Sequence, residues 1–240
     1  MTVSKLFRSL VFVLGIMLVG SPASAQFSIG SDLVNRYVWR GFDFGESSSI
    51  QPSIAYTRGG FTIGSWASYS IAADGAGANE HDLYISYAKG PVEVGLTDYF
   101  FPAPPGPNGV PENAQFFNYD DDGDGAHVIE PYVTITGPES IPIQFTAAVN
   151  AYNEPDHSVY LEASYDFPVN GGVGLGATAG FVPMESAFYQ TDGPNFVNLG
   201  LSASKAIEFT DTFSLPISVR YVLNPETERT FLVFGLSVGV

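Results

Sequence analysis

Apolar and polar residues alternate along most of the chain after the first 25 residues. In FTIGSWASYSI, Phe61, Ile63 and Tyr69 fall on one face of an extended chain, and Thr62 and Ser68 fall on the other. A period of two predicts β-strands. Twelve such segments are predicted, each near the roughly 9–11 residues that a tilted strand needs to cross a bilayer. The predicted strands cover residues 27–40, 50–58, 61–71, 80–89, 91–102, 126–137, 141–152, 158–169, 173–183, 195–208, 213–224 and 229–240.

The connections between these segments alternate between longer and shorter. A long connection at residues 41–49 precedes a Gly-Gly turn, and the longest connection, residues 103–125, follows a turn at a single glycine. Short turns at one end and longer loops at the other are typical of transmembrane barrels. The pattern therefore predicts an all-β fold, an antiparallel up-and-down transmembrane β-barrel of about twelve strands. A soluble exported β-sandwich is the alternative, although its Greek-key connections give no reason for the alternation.

The first 25 residues have the pattern of a secretory signal peptide. Lys5 and Arg8 precede an apolar run, which ends at the small residues Ala23-Ser24-Ala25. Cleavage before Gln26 is expected, so residues 1–25 form the signal peptide and residues 26–240 the barrel domain. A retained membrane helix is the alternative, but the apolar run is short for a span.

The expected mature chain is strongly acidic. It keeps all 25 acidic residues and loses two of the nine basic ones, which leaves a formal charge of −18. Because binding to phosphate backbones requires a basic surface, nucleic acid is excluded as a partner. The chain contains no cysteine, so neither disulfides nor thiolate metal sites hold it together.

The stretch RYVWRG places two arginines on one face of the first predicted strand and aromatic residues on the other. In a barrel, the apolar face contacts lipid and the polar face lines the lumen. Phe27, Ile29, Leu33, Tyr37 and Trp39 are therefore expected to point outward. The expected pore-lining charges are Asp32, Arg36, Arg40, Glu93, Glu162, Asp166 and Arg220. These charges either set the field of a narrow pore or close the lumen as a salt-bridge network.

The longest connection contains the most metal-like motif of the chain. Asp120, Asp122 and Asp124 match the opening of a calcium loop, in which alternate carboxylates bind one hard cation. The carboxylate expected at the twelfth position is absent, because Glu130 comes one residue early. Ca²⁺ bound in the 118–127 loop, with His127 as a further ligand, is one interpretation; a solvated acidic loop is the other. No other cofactor is expected.

A hydrolytic site is the third functional class to consider. Asp156 and His157 lie in a predicted outer loop, with Glu154 and Ser158 nearby. A catalytic histidine needs an orienting carboxylate and a nucleophile or water in hydrogen-bond reach. Adjacency in a polar loop does not establish that arrangement, so the chain is not expected to be an enzyme.

Residues 27–102 contain three blocks that resemble the TorF-type porin family of bacterial outer-membrane β-barrels. The blocks are RYVWRG, GFTIGSWAS and EHDLYISY, matched at Tyr37, Trp39, Arg40, Gly41, Gly60, Phe61, Gly64, Trp66, Ser68, Glu80, Asp82, Leu83, Tyr84 and Tyr87. The resemblance implies an outer-membrane barrel with a pore function and implies no substrate. The chain ends at Val240, whereas many such barrels end on an aromatic residue.

These observations together predict a passive, narrow, cation-favouring channel in the bacterial outer membrane. Its expected partners are outer-membrane lipid and small solutes or ions, and its oligomeric state is left open. The alternative is a closed barrel that serves as a structural or surface-interaction protein through acidic extracellular loops.

Overall fold

The chain folds into a closed antiparallel β-barrel. The structure, a computed structural model, describes residues 26–72, 76–102, 115–120, 126–169, 171–211 and 213–240. Its strands are β1 (Gln26–Val34), β2 (Val38–Trp39), β3 (Phe42–Asp43), β4 (Ser49–Arg58), β5 (Phe61–Ser70), β6 (Glu80–Lys89), β7 (Val92–Phe100), β8 (His127–Thr136), β9 (Gln144–Val149), β10 (Val159–Phe167), β11 (Val173–Val182), β12 (Glu185–Ser186), β13 (Thr191–Asp192), β14 (Asn195–Thr210), β15 (Phe213–Asn224) and β16 (Arg229–Gly239). Among these described residues, no helix is long and apolar enough to cross a membrane.

Twelve of these strands form the barrel wall, and each pairs with its neighbours in antiparallel register. The two-residue strands β2 and β3 pair with each other, as do β12 and β13, outside the wall sheet. The wall closes where β1 meets β16, with Gly30 opposite Gly239 and Asp32 opposite Ser237. Closure pairs each described wall strand with a neighbour on both sides, so the sheet has no free edge strand. The predicted all-β barrel of about twelve strands is therefore confirmed.

The observed wall strands differ from the predicted ones mainly at the first strand. Its predicted range ran to residue 40, whereas β1 ends at Val34 and the chain then leaves the wall. Strand β9 is also shorter than predicted, since it spans only Gln144–Val149. The departure at Val34 places Arg36 and Arg40 on a separate segment, and this changes the contents of the lumen.

The two faces of the wall differ in polarity. The outer face exposes large apolar side chains on nearly every strand, such as Ile29, Ile63 and Leu96. Register places Ser53 opposite Trp66 and Ser202 opposite Arg220 on the inner face, where small and polar residues predominate. An apolar exterior around a polar interior is the reverse of a soluble domain and matches a barrel solvated by lipid.

Tyrosines on the inner face lie flat over glycines of the neighbouring strand. A Cβ atom added to Gly64 would lie 2.4 Å from Cζ of Tyr84, and one added to Gly95 would lie 2.4 Å from Cζ of Tyr132. Because these rings occupy the space that a side chain would fill, they follow the wall and do not project across the lumen.

The connections follow the predicted alternation up to the last one. Connections at residues 59–60, 90–91, 137–143, 168–172 and 211–212 lie at one end of the barrel, which we call the turn end. The connections at the other end, the loop end, are all longer than these except the last. They comprise residues 35–48, 71–79, 101–126, 150–158, 183–194 and 225–228.

Candidate functional site

The first long connection, residues 35–48, folds into the lumen at the loop end; we call it the inward segment. It contains the hairpin formed by β2 and β3. Val38 is buried in a cluster with Val34, Val222 and Val233, which come from three different wall strands. The Arg220 side chain donates a hydrogen bond to the Val38 carbonyl at 3.4 Å. The inward segment is therefore packed against the inner wall.

A tight turn directs the tip of this hairpin across the lumen. Arg40 and Gly41 have φ angles of 47° and 86°, and two consecutive positive φ angles are characteristic of a type I′ turn. A Cβ atom added to Gly41 would lie 1.8 Å from the carbonyl oxygen of Val197 on β14. Asn224 donates a hydrogen bond to the Gly41 carbonyl at 3.2 Å. Glycine is required here for both reasons.

The prediction that Tyr37 and Trp39 face lipid is wrong. Tyr37 is only 5% exposed. Its ring centroid lies 5.4 Å from that of Trp66, and its hydroxyl donates to Glu80 Oε2 at 2.7 Å. The ring centroid of Trp39 lies 5.6 Å from that of Tyr99. Because the lumen contains other aromatic rings, an alternating segment can bury its aromatic side there instead of in the bilayer.

Tyr37 anchors the beginning of the inward segment through a buried hydrogen bond. Burial raises the pKa of the Tyr37 phenol, and the Glu80 carboxylate raises it further. The phenol therefore remains protonated and continues to donate to Glu80 at ordinary pH. A buried donor and acceptor that satisfy each other avoid the cost of an unmade hydrogen bond.

Arg40 forms the centre of the site through a bidentate ion pair with Glu130 of β8. Nη1 lies 2.5 Å from Oε2 and Nη2 lies 2.9 Å from Oε1. Tyr99 donates to Glu130 Oε1 at 2.9 Å, and Arg40 donates to the Tyr189 hydroxyl at 2.6 Å. Charge-assisted, two-point pairs of this kind are among the stronger polar contacts in proteins. We call Arg40, Glu130, Tyr99 and Tyr189 the arginine clamp.

Aromatic rings enclose the guanidinium of Arg40. Its Cζ atom lies 4.3 Å from the ring centroid of Trp39 and 4.2 Å from that of Tyr160, within the range of cation–π attraction. Burial lowers the pKa of Arg40, but Tyr189, Tyr99 and Glu130 raise it, and the net pKa is above its ordinary value. The guanidinium therefore remains charged.

The 183–194 connection covers the inward segment from the loop end. It contains the hairpin formed by β12 and β13. Tyr189 at its tip is fully buried, with its ring stacked 6.4 Å from Trp39 and tilted 6.1 Å from Phe42. Burial raises the pKa of the Tyr189 phenol, whereas Arg40 lowers it; the net pKa is raised. The two hairpins together narrow the loop end of the lumen.

A cavity of about 360 Å³ lies beside the arginine clamp. Most of its lining residues come from the inner faces of β9, β10, β11, β14 and β15, together with the inward segment. They are Val38, Trp39, Arg40, Thr146, Tyr160, Glu162, Thr178, Asn198, Gly200, Leu201, Ser202, Arg220 and Val222. The cavity therefore brings together three of the predicted pore-lining residues, Arg40, Glu162 and Arg220.

The structure places the remaining predicted charges along the inner wall. Glu162 accepts hydrogen bonds from Tyr160 at 2.5 Å and from Asn198 at 3.3 Å. Glu93 accepts a hydrogen bond from Tyr132 at 2.7 Å. Each carboxylate is thus held against the wall by a neighbouring side chain.

Asp32, Asp166 and Arg36 occupy other levels of the barrel. Asp32 of β1 interacts electrostatically with Arg220, and Asp166 lies over Gly176, where an added Cβ would be 3.1 Å from its Oδ1 atom. Arg36 pairs with Asp43 inside the inward segment. The ion pairs of the first two arginines therefore use carboxylates outside the predicted pore-lining set: Arg40 pairs with Glu130, and Arg36 pairs with Asp43.

The clamp partners of Arg40 were not identified from the sequence. Glu130 and Tyr189 lie 90 and 149 positions from Arg40 along the chain. In the sequence, Glu130 is notable only as a carboxylate one position before the last ligand position of the calcium motif. The alternation along the predicted strand does indicate that Glu130 faces inward, together with Tyr132 and Thr134. That signal indicates the inner face but does not identify the partner.

The predicted calcium loop is only partly described. The Asp120 backbone N–H donates a hydrogen bond to the Asn118 side chain at 3.1 Å; Asp122 and Asp124 lie outside the described residues. In the described part of the chain, no group of three or more His, Asp or Glu residues is arranged to hold a metal ion. His127 contacts Asp98 Oδ1 and the Phe116 carbonyl oxygen, each at 2.7 Å, through its two ring nitrogens. Calcium binding remains a prediction.

The histidine considered for hydrolysis makes structural contacts. His157 Nδ1 lies 3.2 Å from the Asn150 carbonyl oxygen. The Ser158 hydroxyl pairs with that of Ser186 at 2.7 Å, and Glu154 accepts a hydrogen bond from the Ser158 backbone N–H. These contacts fix the 150–158 loop and do not form a nucleophile–histidine pair.

The chain matches no protein-family model and no curated protein. Among solved structures it is similar to the KdgM porin, with a TM-score of 0.50 and 8% identity over 88% of this chain and 97% of that one. It is also similar to an outer membrane channel from Pseudomonas putida F1, with a TM-score of 0.41 and 11% identity over 92% of this chain and 96% of that one. The first similarity supports the barrel fold, and the second is too weak to argue from.

Proposed function

We propose that this chain is a bacterial outer-membrane channel through which small solutes or ions pass passively. The observation that carries the proposal is an apolar outer wall around a polar lumen that contains a cavity of about 360 Å³. A barrel of about twelve strands is wider than the side-chain-filled eight-stranded case and narrower than open porins of sixteen strands. The fold shared with the KdgM porin adds support by analogy only.

The narrowest level of this channel is the arginine clamp. The hairpin of β2 and β3 crosses the lumen there, and Tyr189 covers it from the loop end. Solutes would pass between the clamp and the β10–β15 side of the wall, where the cavity lies. A cavity of about 360 Å³ has room for small hydrated solutes.

The charge of the lumen favours cations. Among the described wall residues, carboxylates outnumber guanidinium groups on the inner face. Outside the buried pair of Glu80 and Asp82, the wall carboxylates are Asp32, Glu93, Glu130, Glu162, Asp166 and Glu208, and the wall guanidiniums are Arg220 and Arg229. The inward segment adds Arg36 and Arg40 to the lumen, together with Asp43. A net negative lining raises the local concentration of cations in a pore.

We expect Glu162→Gln to reduce the selectivity for cations. Glu162 lines the cavity, so loss of its charge should lower the cation-to-anion permeability ratio severalfold. The measurement is the reversal potential of reconstituted protein under a potassium chloride gradient. Asp211→Asn is the matched control, because it removes the same charge from an exposed turn outside the lumen. A wild-type reversal potential whose sign indicates that anions permeate better than cations would contradict the proposed selectivity.

A closed barrel that acts through its loops is the second candidate. The observation that favours it is the clamp itself, because a bidentate ion pair between stacked rings holds the inward segment firmly. The two candidates differ in one property: only the channel passes current or solute without a structural change. The acidic loops would then be the working surface of the closed barrel.

A further inference from the structure

The outer face of the wall contains a group of polar side chains near the loop end. Ser65, His81, Asp98 and His127 lie on β5 to β8, at outward positions that alternate with the inward residues. Their same-face neighbours lower on these strands include exposed Leu83. Polar groups that face hydrocarbon without partners are costly. These polar side chains must therefore be shielded from lipid by another part of the protein.

Residues 115–120, which we call the flap, supply that cover. The flap lies against the outer wall and does not enter the lumen. The Phe116 carbonyl contacts His127 Nε2 at 2.7 Å, and the Tyr119 hydroxyl donates to Asp98 Oδ2 at 2.7 Å. The Tyr119 ring stacks on His127 with centroids 3.9 Å apart. The flap is thus attached to Asp98 of β7 and His127 of β8.

Phe116 extends the cover toward the neighbouring strand. Its ring centroid lies 5.4 Å from Phe100 and 6.1 Å from His81, whose Nε2 pairs with the Ser65 hydroxyl at 2.9 Å. Burial raises the pKa of Tyr119, and its hydrogen bond with Asp98 raises it further. The phenol therefore remains a donor, and the flap remains attached.

One residue of the flap has no place in this packing. Phe117 is 88% exposed, and its ring contacts only Phe116, 5.3 Å away, among the described ring pairs. An isolated exposed phenylalanine is unremarkable on a soluble surface. Phe117, however, lies on the outside of a wall whose adjoining surface is apolar and is solvated by lipid if the barrel spans a membrane.

We propose that the flap is a membrane-contacting element, in which Phe117 inserts into the acyl chains of the leaflet at the loop end while Phe116 and Tyr119 shield the polar wall residues from lipid. The partner is the lipid surface itself. This inference rests on the proposed membrane location and does not depend on whether the lumen conducts. Aromatic rings with one polar and one apolar side favour this depth of a bilayer.

The test is the fluorescence of Phe117→Trp in vesicles that contain phosphatidylcholine brominated on its acyl chains. Ile63→Trp, an exposed site on the outer wall, is the lipid-facing control. Asp192→Trp, in an exposed position of the loop-end hairpin, is the water-facing control. The native Trp39 and Trp66 contribute a constant background, because both lie in the lumen. Each variant is compared with wild-type protein in brominated and unbrominated vesicles.

We expect bromine to reduce the added fluorescence of Phe117→Trp by at least half of the reduction seen for Ile63→Trp, while Asp192→Trp is unaffected. Quenching of Ile63→Trp alone would overturn the inference and leave the membrane barrel intact. A blue-shifted Phe117→Trp emission that bromine does not quench would indicate a protein partner and would also overturn it. If bromine quenches neither variant, both the inference and the membrane location fail.

Discussion

Replacement of residues 35–48 by Asn-Gly is expected to raise the single-channel conductance several-fold. Val34 and Ser49 are paired directly across β1 and β4, so a two-residue hairpin turn can join them without strain in the wall. The replacement removes Trp39 and Arg40, which occupy the loop end of the lumen. What remains is a wider polar lumen, and conductance rises with the cross-section of the narrowest level.

The matched control is a variant that changes the sequence of another loop-end connection without changing its length. Replacement of Glu226–Thr227 by Gly-Gly changes a loop of the same end and leaves the inward segment in place. Its conductance should equal that of the wild type. If the variant lacking the inward segment inserts and conducts no better than the wild type, the constriction does not lie at this segment, and the description of the clamp as the narrowest level is wrong.

Arg40→Ala is expected to destabilise the folded barrel by about 3–5 kcal/mol, the cost of leaving a buried charge without its partner. Glu130 is almost fully buried, and Arg40 makes two of its hydrogen bonds. The mutation also removes the cation from between Trp39 and Tyr160. Urea unfolding of the protein in lipid vesicles, followed by tryptophan fluorescence, measures the change in the free energy of unfolding.

Two further variants distinguish two causes of the lost stability: the unpaired carboxylate of Glu130 and the lost packing of Arg40. Arg40→Ala combined with Glu130→Gln should recover part of the lost stability, because the double variant leaves no buried carboxylate unpaired. Arg36→Ala should cost about 0–1 kcal/mol, since the Arg36 side chain is 40% exposed and such pairs contribute little. A cost for Arg40→Ala that is no larger than that for Arg36→Ala would contradict the structural role of the clamp.

The wall strands were predictable because the wall is bounded by two different environments. Lipid on one side and polar lumen on the other impose alternation on each strand, and this alternation indicated strands such as β5 and β6 with nearly correct bounds. The same regularity caused the error at β1. Tyr37 and Trp39 continue the alternation, but their apolar side faces aromatic rings in the lumen. Alternation alone does not distinguish these two apolar environments.

A local feature of the sequence indicates that the first predicted strand does not continue to residue 40. The dipeptide Arg40-Gly41 forms the turn between β2 and β3, and its glycine is the residue type that a positive φ angle favours. Short strands on either side of such a turn would indicate a hairpin in place of a continuous strand. The pairing of Arg40 with Glu130 has no such local signal, because only closure of the barrel brings β8 to the tip of this hairpin.

The measurement that tests the central claim most directly is the current carried by the wild-type protein in a planar bilayer, with insertion verified on the same preparation. The account predicts discrete, small conductance steps, because a cavity of about 360 Å³ lies beside the arginine clamp, where the proposed passage is narrowest. Verified insertion without any step would contradict the channel and would favour a closed barrel that acts through its loops.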